Sequence, residues 1–154
     1  MAIKVFLDTS VYDNLNFIFD NRQLAKINDM ATKDEKILLY NEIVYQEVYQ
    51  HICDNLSEAI SKYNQLLLEE RALAPYKNSD TMSTRLIPLD SEKMIAELRD
   101  RWDAYLADCG AEKIEISSVD IDDIVSKYFN KLLPFENKKP YEFKDAIIID
   151  SIRN

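Results

Sequence analysis

A chain of 154 residues with a single glycine has few ways of turning tightly. Glycine supplies the positive-φ positions of short hairpins and of loops that close around phosphate, so its scarcity removes whole architectures. No P-loop, no G-x-G-x-x-G fingerprint and no G-x-S-x-G nucleophile elbow fits this sequence. With only four prolines besides, a mostly helical chain is expected. The lone Gly110 follows an apolar stripe of Met94, Ile95, Leu98, Trp102, Tyr105 and Leu106. It stands where a helix C-terminus favours a left-handed residue.

Short apolar runs between helical patterns read as strands. Ile3 to Leu7 stops abruptly at Asp8-Thr9-Ser10, a trio suited to cap a helix of about four turns marked by Val11, Leu15, Ile18 and Leu24, with Asp20-Asn21 as the place where it can be interrupted. Ile37 to Tyr40 is a second strand. Asn41 is the expected N-cap of a long helix over 42–73, with Val44, Val48, Ile52, Leu56, Ile60, Tyr63 and Leu67 as its core stripe. Residues 76–85 read as a surface loop, and Leu86 to Leu89 as an edge strand or an extended segment. Asp90 or Ser91 caps the Met94 helix. Lys113 to Ser117 is a third strand. Ser118 and Asp120 cap a helix carrying Ile121, Val125, Tyr128, Phe129 and Leu132. Residues 136–140 are a charged loop, and the last helix starts near Tyr141 with Ala146, Ile148, Ile149 and Ile152 inward. Strands alternating with helices imply an α/β fold: one domain over 1–154, helix-rich, with a small central parallel sheet flanked by helices. The sequence stops on a helix, which suggests a C-terminally truncated domain without its last strand.

The net charge of −9 argues against a broad basic face for nucleic acid. It leaves room for a nuclease, because bound divalent ions reverse the local field at a carboxylate cluster. There is no apolar run of about 18 residues and no secretory signal at the N-terminus, so a cytoplasmic protein without a membrane span is expected. Cys53 and Cys109 are too few for a disulfide framework or a zinc knuckle, and Cys53 lies on the core stripe of the long helix.

Three acids stand out. Asp8 sits where a strand hands over to a helix, the edge at which open α/β sheets bind ligands; it is either a cap or a metal- or phosphate-handling group. Glu47 lies at the border of the long helix's stripe, either reaching water or a lysine, or serving a site. Asp145 shares a stripe with Ile148, Ile149 and Ile152, whereas Asp150 falls off it and reads as solvated. Three acids at element ends suit Mg²⁺ or Mn²⁺, which take hard oxygen ligands. His51, one turn beyond Glu47, is either a supporting residue or a phosphate contact. Thr9 and Ser10 cap the helix or hold a ligand water. Lys138, Lys139 and Lys144 flank Asp145, as a solvated face or as contacts to a nucleic-acid backbone.

Asp8 in VFLDTS, Glu47 in EIVYQEV and Asp145 in PYEFKDAIII resemble the acidic positions of PIN-domain ribonucleases. The segments GAEKIEISSVDIDDIV and LLPFENKKPYEFKDAI are similar in order and spacing to the PIN-like branch with a long second helix, more than to the compact toxin type. The resemblance implies acids gathered at the C-terminal edge of the sheet, and Mg²⁺ or Mn²⁺ held by Asp8, Glu47 and Asp145. It implies metal-dependent endoribonuclease action on single-stranded RNA, often as the toxin that a protein antitoxin restrains. Two departures stand against it: no strand follows the last helix, and Asn41 occupies a position where this branch has proline. The alternatives are a non-enzymatic interaction module with the same fold, and a phosphatase of the haloacid dehalogenase type. The phosphatase wants a second aspartate two residues after Asp8, where Ser10 stands.

Overall fold

Among the described residues, three short strands form one parallel sheet in the order β1-β2-β3. They are β1 (Ile3–Phe6), β2 (Lys36–Asn41) and β3 (Glu112–Ile114). This is a computed structural model, which describes residues 3–33, 35–69, 75, 88–135 and 142–153. In register, Phe6 lies beside Leu39, and Leu39 beside Glu112. Parallel neighbours require crossovers. Helices α1 (Thr9–Asn14) and α2 (Arg22–Thr32) make the first, α3 (Glu42–Glu69) and α4 (Ser91–Asp108) the second, and α5 (Ile121–Phe129) and α6 (Phe143–Arg153) follow. All three strands point the same way, so the residues after β1 and β2 share one edge of the sheet. The central strand carries buried Leu38, Leu39 and Asn41, as expected of a parallel strand covered on both faces.

Several elements differ from expectation. The helix expected over Val11 to Leu24 is two helices. Asn21 starts α2 by taking the N–H groups of Gln23 and Leu24 on its Oδ1, at 2.8 and 3.1 Å. Before it, Asn16 and Phe17 adopt φ of 52° and 55°. That kink turns Phe17 and Phe19 inward, and Phe19 stacks on Tyr105 with ring centroids 5.5 Å apart. Burial of the aromatic rings offsets the positive φ, which disfavours a side chain by about 1–2 kcal/mol.

The third strand ends at Ile114, and Ile116–Ser118 form a 3₁₀ turn. Helix α5 buries Ile124 and turns Ile121, Val125 and Phe129 outward, with Phe129 76% exposed. The cluster of Val119, Ile124, Phe135 and Ala146, supported by Ile116, Tyr128 and Ile147, explains why: it meets α5 on the Ile124–Tyr128 side. The same cluster sets the rotation of α6. Its buried face is Ala146, Ile148 and Ser151, while Ile149 and Ile152 are exposed, so the expected isoleucine stripe does not form. Asp150 is partly buried and accepts the N–H of Asp120 at 3.2 Å, instead of standing in water. Cys53 is half-buried; Cys109 is the buried thiol, and both are free.

Ser118, expected as a cap of α5, lies in the 3₁₀ turn and donates its hydroxyl to the Glu115 carbonyl at 3.4 Å, while other caps hold. Asp120 caps α5 by accepting the N–H of Asp123, and Asp90 caps α4 through Lys93 N–H, each at 3.1 Å. Gly110 closes α4 with φ 54°, its N–H on Ala107 and the N–H of Ala111 on Leu106, both at 2.9 Å. The end of the long helix at 70–73, the loops at 76–85 and 136–140, Leu86, Ile87 and the start at Tyr141 lie outside the described residues. Pro88 and Leu89 form no strand.

The chain clusters into two compact units, Met1–Val48 with Tyr105–Asn154, and Tyr49–Ala104. The sheet belongs to the first. In the second, Ile52, Ile60 and Trp102 are buried, the Arg99 guanidinium sits 4.7 Å from the Tyr49 ring centroid, and Asn64 holds Leu89 by two hydrogen bonds of 2.9 and 3.1 Å. Among the described residues, no helix is long and apolar enough to cross a membrane.

The packing predicts a sharp contrast. Phe135→Ala removes the centre of a cluster and lowers stability by about 3–5 kcal/mol. Phe129→Ala, on the outer face, stays within about 0.5 kcal/mol. Urea melts of the two variants decide; equal losses would contradict the rotation of α5. A pH effect follows as well. Burial pushes the Tyr12 and Tyr105 hydroxyls and the Cys109 thiol above their ordinary values of 10.0 and 9.0. Above about pH 9 the unfolded chain therefore binds fewer protons than the folded one, and stability falls as pH rises. Thermal midpoints should be level near pH 8 and drop towards pH 11; a flat profile would refute this.

Candidate functional site

The buried polar side chains among the described residues are Thr9, Asn41 and Ser151. Burial of a polar group without a partner is costly, so their bonds show what the fold is arranged to hold. Asn41 is fully buried at the end of β2. Its Oδ1 accepts the N–H of Val44 at 3.0 Å and so caps α3, as expected. Its Nδ2 donates to Ser151 Oγ at 3.1 Å, and Ser151 donates onward to the Ile148 carbonyl at 2.8 Å. The side chain thus joins the sheet, the start of α3 and the last turn of α6. A proline at this position would bring neither bond.

The first turn of α6 reaches the same helix. Lys144 Nζ lies 2.7 Å from Glu47 Oε1. The other carboxylate oxygen of Glu47, Oε2, accepts the hydroxyl of buried Thr9 at 3.0 Å. Three segments separated widely in sequence therefore meet on one carboxylate: the turn after β1, the second turn of α3 and the start of α6. Glu47 is 22% exposed and Lys144 70% exposed, so a half-buried anion faces a cation standing largely in water.

Asp8, exposed, is the N-cap of α1: its Oδ2 accepts the N–H of Ser10 at 3.1 Å and the Ser10 hydroxyl as well. Ser10 holds Asp8, whereas Thr9 turns away from the cap to Glu47. Asp145 is partly buried in the first turn of α6, where the helix dipole favours an acid. Asp8 and Asp145 each adjoin in sequence a residue bound to Glu47. His51 is half-buried on α3 in the second unit. Lys138 and Lys139 lie outside the described residues. At the start of α3, the Lys113 ammonium, 2.8 Å away, holds the Glu42 carboxyl below the usual carboxylate range.

The donors at this edge are carboxylate and hydroxyl oxygens, the types that a hard divalent ion takes. In chemistry they fit Mg²⁺ or Mn²⁺. In arrangement, no three His, Cys, Asp or Glu side chains among the described residues are grouped to hold a metal, and the cation on Glu47 is an ammonium. Sequence reading missed the links from Thr9 and Lys144 to Glu47 and the role of Ser151. The one available signal was a serine on the face that α6 buries, a position that asks for a buried partner.

A family model described as a PIN domain matches residues 5–154. No curated protein and no solved structure matches the chain significantly. PIN domains are in general nucleases that bind RNA, typically with divalent metal ions.

The two sets of contacts differ in weight. Asn41→Ala strips a buried cap and leaves Ser151 without its donor, which lowers stability by about 2–3 kcal/mol. Lys144→Gln breaks an exposed pair and shifts stability by less than about 1 kcal/mol. Denaturant titrations measure both, and a loss above 2 kcal/mol for Lys144→Gln would make the pair a structural element.

Proposed function

Since the chain belongs to the PIN domain family, we propose that it is a metal-dependent endoribonuclease hydrolysing phosphodiesters of single-stranded RNA. Asp8, Glu47 and Asp145 are its metal-holding acids, with Mg²⁺ or Mn²⁺ as the ion and the cytoplasm as its place of action. The observation that carries this reading is the meeting of Thr9, Glu47 and Lys144 at the C-terminal edge of a parallel sheet. It brings a half-buried carboxylate, the donor type that a hard divalent ion takes, to the edge of the sheet, oriented by a neutral hydroxyl.

The chain's own residues have distinct parts. Thr9 orients Glu47 by its hydroxyl, and the buried cap at Asn41 holds the helix that carries Glu47. Ser10 fixes the Asp8 carboxylate at the end of β1. Lys144, exposed beside Glu47, is placed to meet a phosphate oxygen of the substrate backbone. In a chain of net charge −9, such local cations carry the attraction for RNA that a broad basic face supplies elsewhere. The ion, when bound, supplies an acidified water and offsets charge on the phosphate. Ser10 is committed to Asp8, which leaves the haloacid dehalogenase reading without its second acid.

The test is cleavage of generic single-stranded RNA in Mn²⁺. The chain should cut it, lose the activity in chelator, and lose about 100-fold or more in Asp8→Ala and Glu47→Gln, the scale of removing one group that stabilises developing charge. Cutting that persists in excess chelator, or in Asp8→Ala, would overturn the metal-nuclease reading. A folded chain that cuts no RNA would transfer weight to the interaction module.

A further inference from the structure

We infer that the aromatic cluster joining α5 to the start of α6 is a stacking platform for the bases of single-stranded RNA. The inference takes its substrate class from the reading above and involves no metal ion. Its basis is a set of rings that the core fixes from below. Phe135 is buried, and the rings of Tyr128 and Phe143 pack on it with centroids 5.5 and 4.8 Å away. Tyr128 and Phe143 lie 4.9 Å apart, and Phe129 stands across Tyr128 at 5.2 Å and 72°. Phe143 is 37% exposed and Phe129 76% exposed, so the outer rings of an anchored cluster keep much of their surface in water. Every base has a π-face, and an anchored aromatic ring is what it stacks on.

The position of the cluster favours nucleic acid as its occupant. Phe143 directly precedes Lys144, the exposed lysine that reaches Glu47, so the rings continue the candidate site. Exposed Lys131, with φ 53°, follows Phe129 by two residues. The acids of α5, Asp120, Asp122 and Asp123, stand in its cap and first turn, at the end away from Phe129. The rings are thus placed for bases, and Lys131 and Lys144 for phosphates. Glu142 and Asp145 flank Lys144 in sequence and the chain carries a net charge of −9, so the pull on phosphate is small and stacking carries the affinity. Ile121 and Val125 extend the exposed face along α5, as a protein contact would also use. Pairing with a second copy brings together two chains of that same net charge, which disfavours it.

The test measures binding of a short oligouridylate carrying one 2-aminopurine, in chelator, by the fluorescence of that base. Binding to the unchanged chain should quench the fluorescence, as stacking does. Phe129→Ala should weaken binding about tenfold and remove most of the quench, and Phe129→Trp should keep both. Ile121→Ala should change neither. Affinity should fall only gently with salt, with a logarithmic slope of about −1.4 for two phosphates, and Lys131→Gln should reduce that slope by about 0.7. Unchanged affinity in Phe129→Ala, or binding by the unchanged chain without a quench, would overturn the platform and leave the nuclease reading to the cleavage assay. Phe129-dependent binding in a chain that cuts nothing would uphold the platform and remove the nuclease reading. A dimer in sedimentation that Phe129→Ala dissociates, with RNA affinity unaltered, would give the face to a second copy and overturn the inference. The quench needs only the unchanged chain, so it decides even if a variant misfolds.

Discussion

Asn41 is the side chain on which this architecture depends most. It is the last residue of the central strand, the cap of the longest helix and the hydrogen-bond donor to Ser151 on α6. Each bond is modest, yet each is made in a buried setting, where an unmade bond is expensive. The result is that two consecutive elements, β2 and α3, are fixed at one point to a helix whose Ser151 lies 110 residues beyond Asn41. From that point α3 sends Glu47 towards the sheet edge, and α6 sends its first turn back to meet it.

The electrostatics of the site follow from that geometry. A half-buried carboxylate is costly unless a partner offsets its charge. In this structure an intrachain ammonium intervenes at Glu47, a neutral hydroxyl holds the carboxylate in place, and Asp8 is tied to the cap of α1. Stability and function meet here on unequal terms. The orienting contacts from Thr9 and Asn41 involve buried side chains, while the lysine that meets Glu47 is exposed.

The sequence was most informative where local chemistry decides. Apolar runs marked β1 and β2, and Asn41, Asp90, Asp120 and Gly110 announced helix ends, since caps act within a few residues. It misled where packing decides. α6 carries apolar side chains all round, so its periodicity admits more than one inward face, while α5 has one apolar stripe wider than the face it buries. The cluster around Phe135 selects Ile124 on α5 and Ala146 on α6. The break before α2 was half visible in Asp20-Asn21, but the buried position of Phe19 depends on Tyr105, 86 residues after it in the chain.

The sequence by itself determined the alternation of strands and helices, the PIN-like order of its acidic motifs and the presence of acids at element ends. These follow from periodicity and from capping chemistry, both of which act over short separations. Only the tertiary structure decided which side chains meet at Glu47. Thr9 lies 38 residues before it and Lys144 97 residues after it, and no local rule relates such positions. Their contact exists because a buried Asn41–Ser151 bond and an apolar cluster orient α6 against the start of α3. Hydrophobic burial and the satisfaction of buried polar groups are properties of the whole packed unit, and they assigned the lysine beside Asp145 to the carboxylate of Glu47.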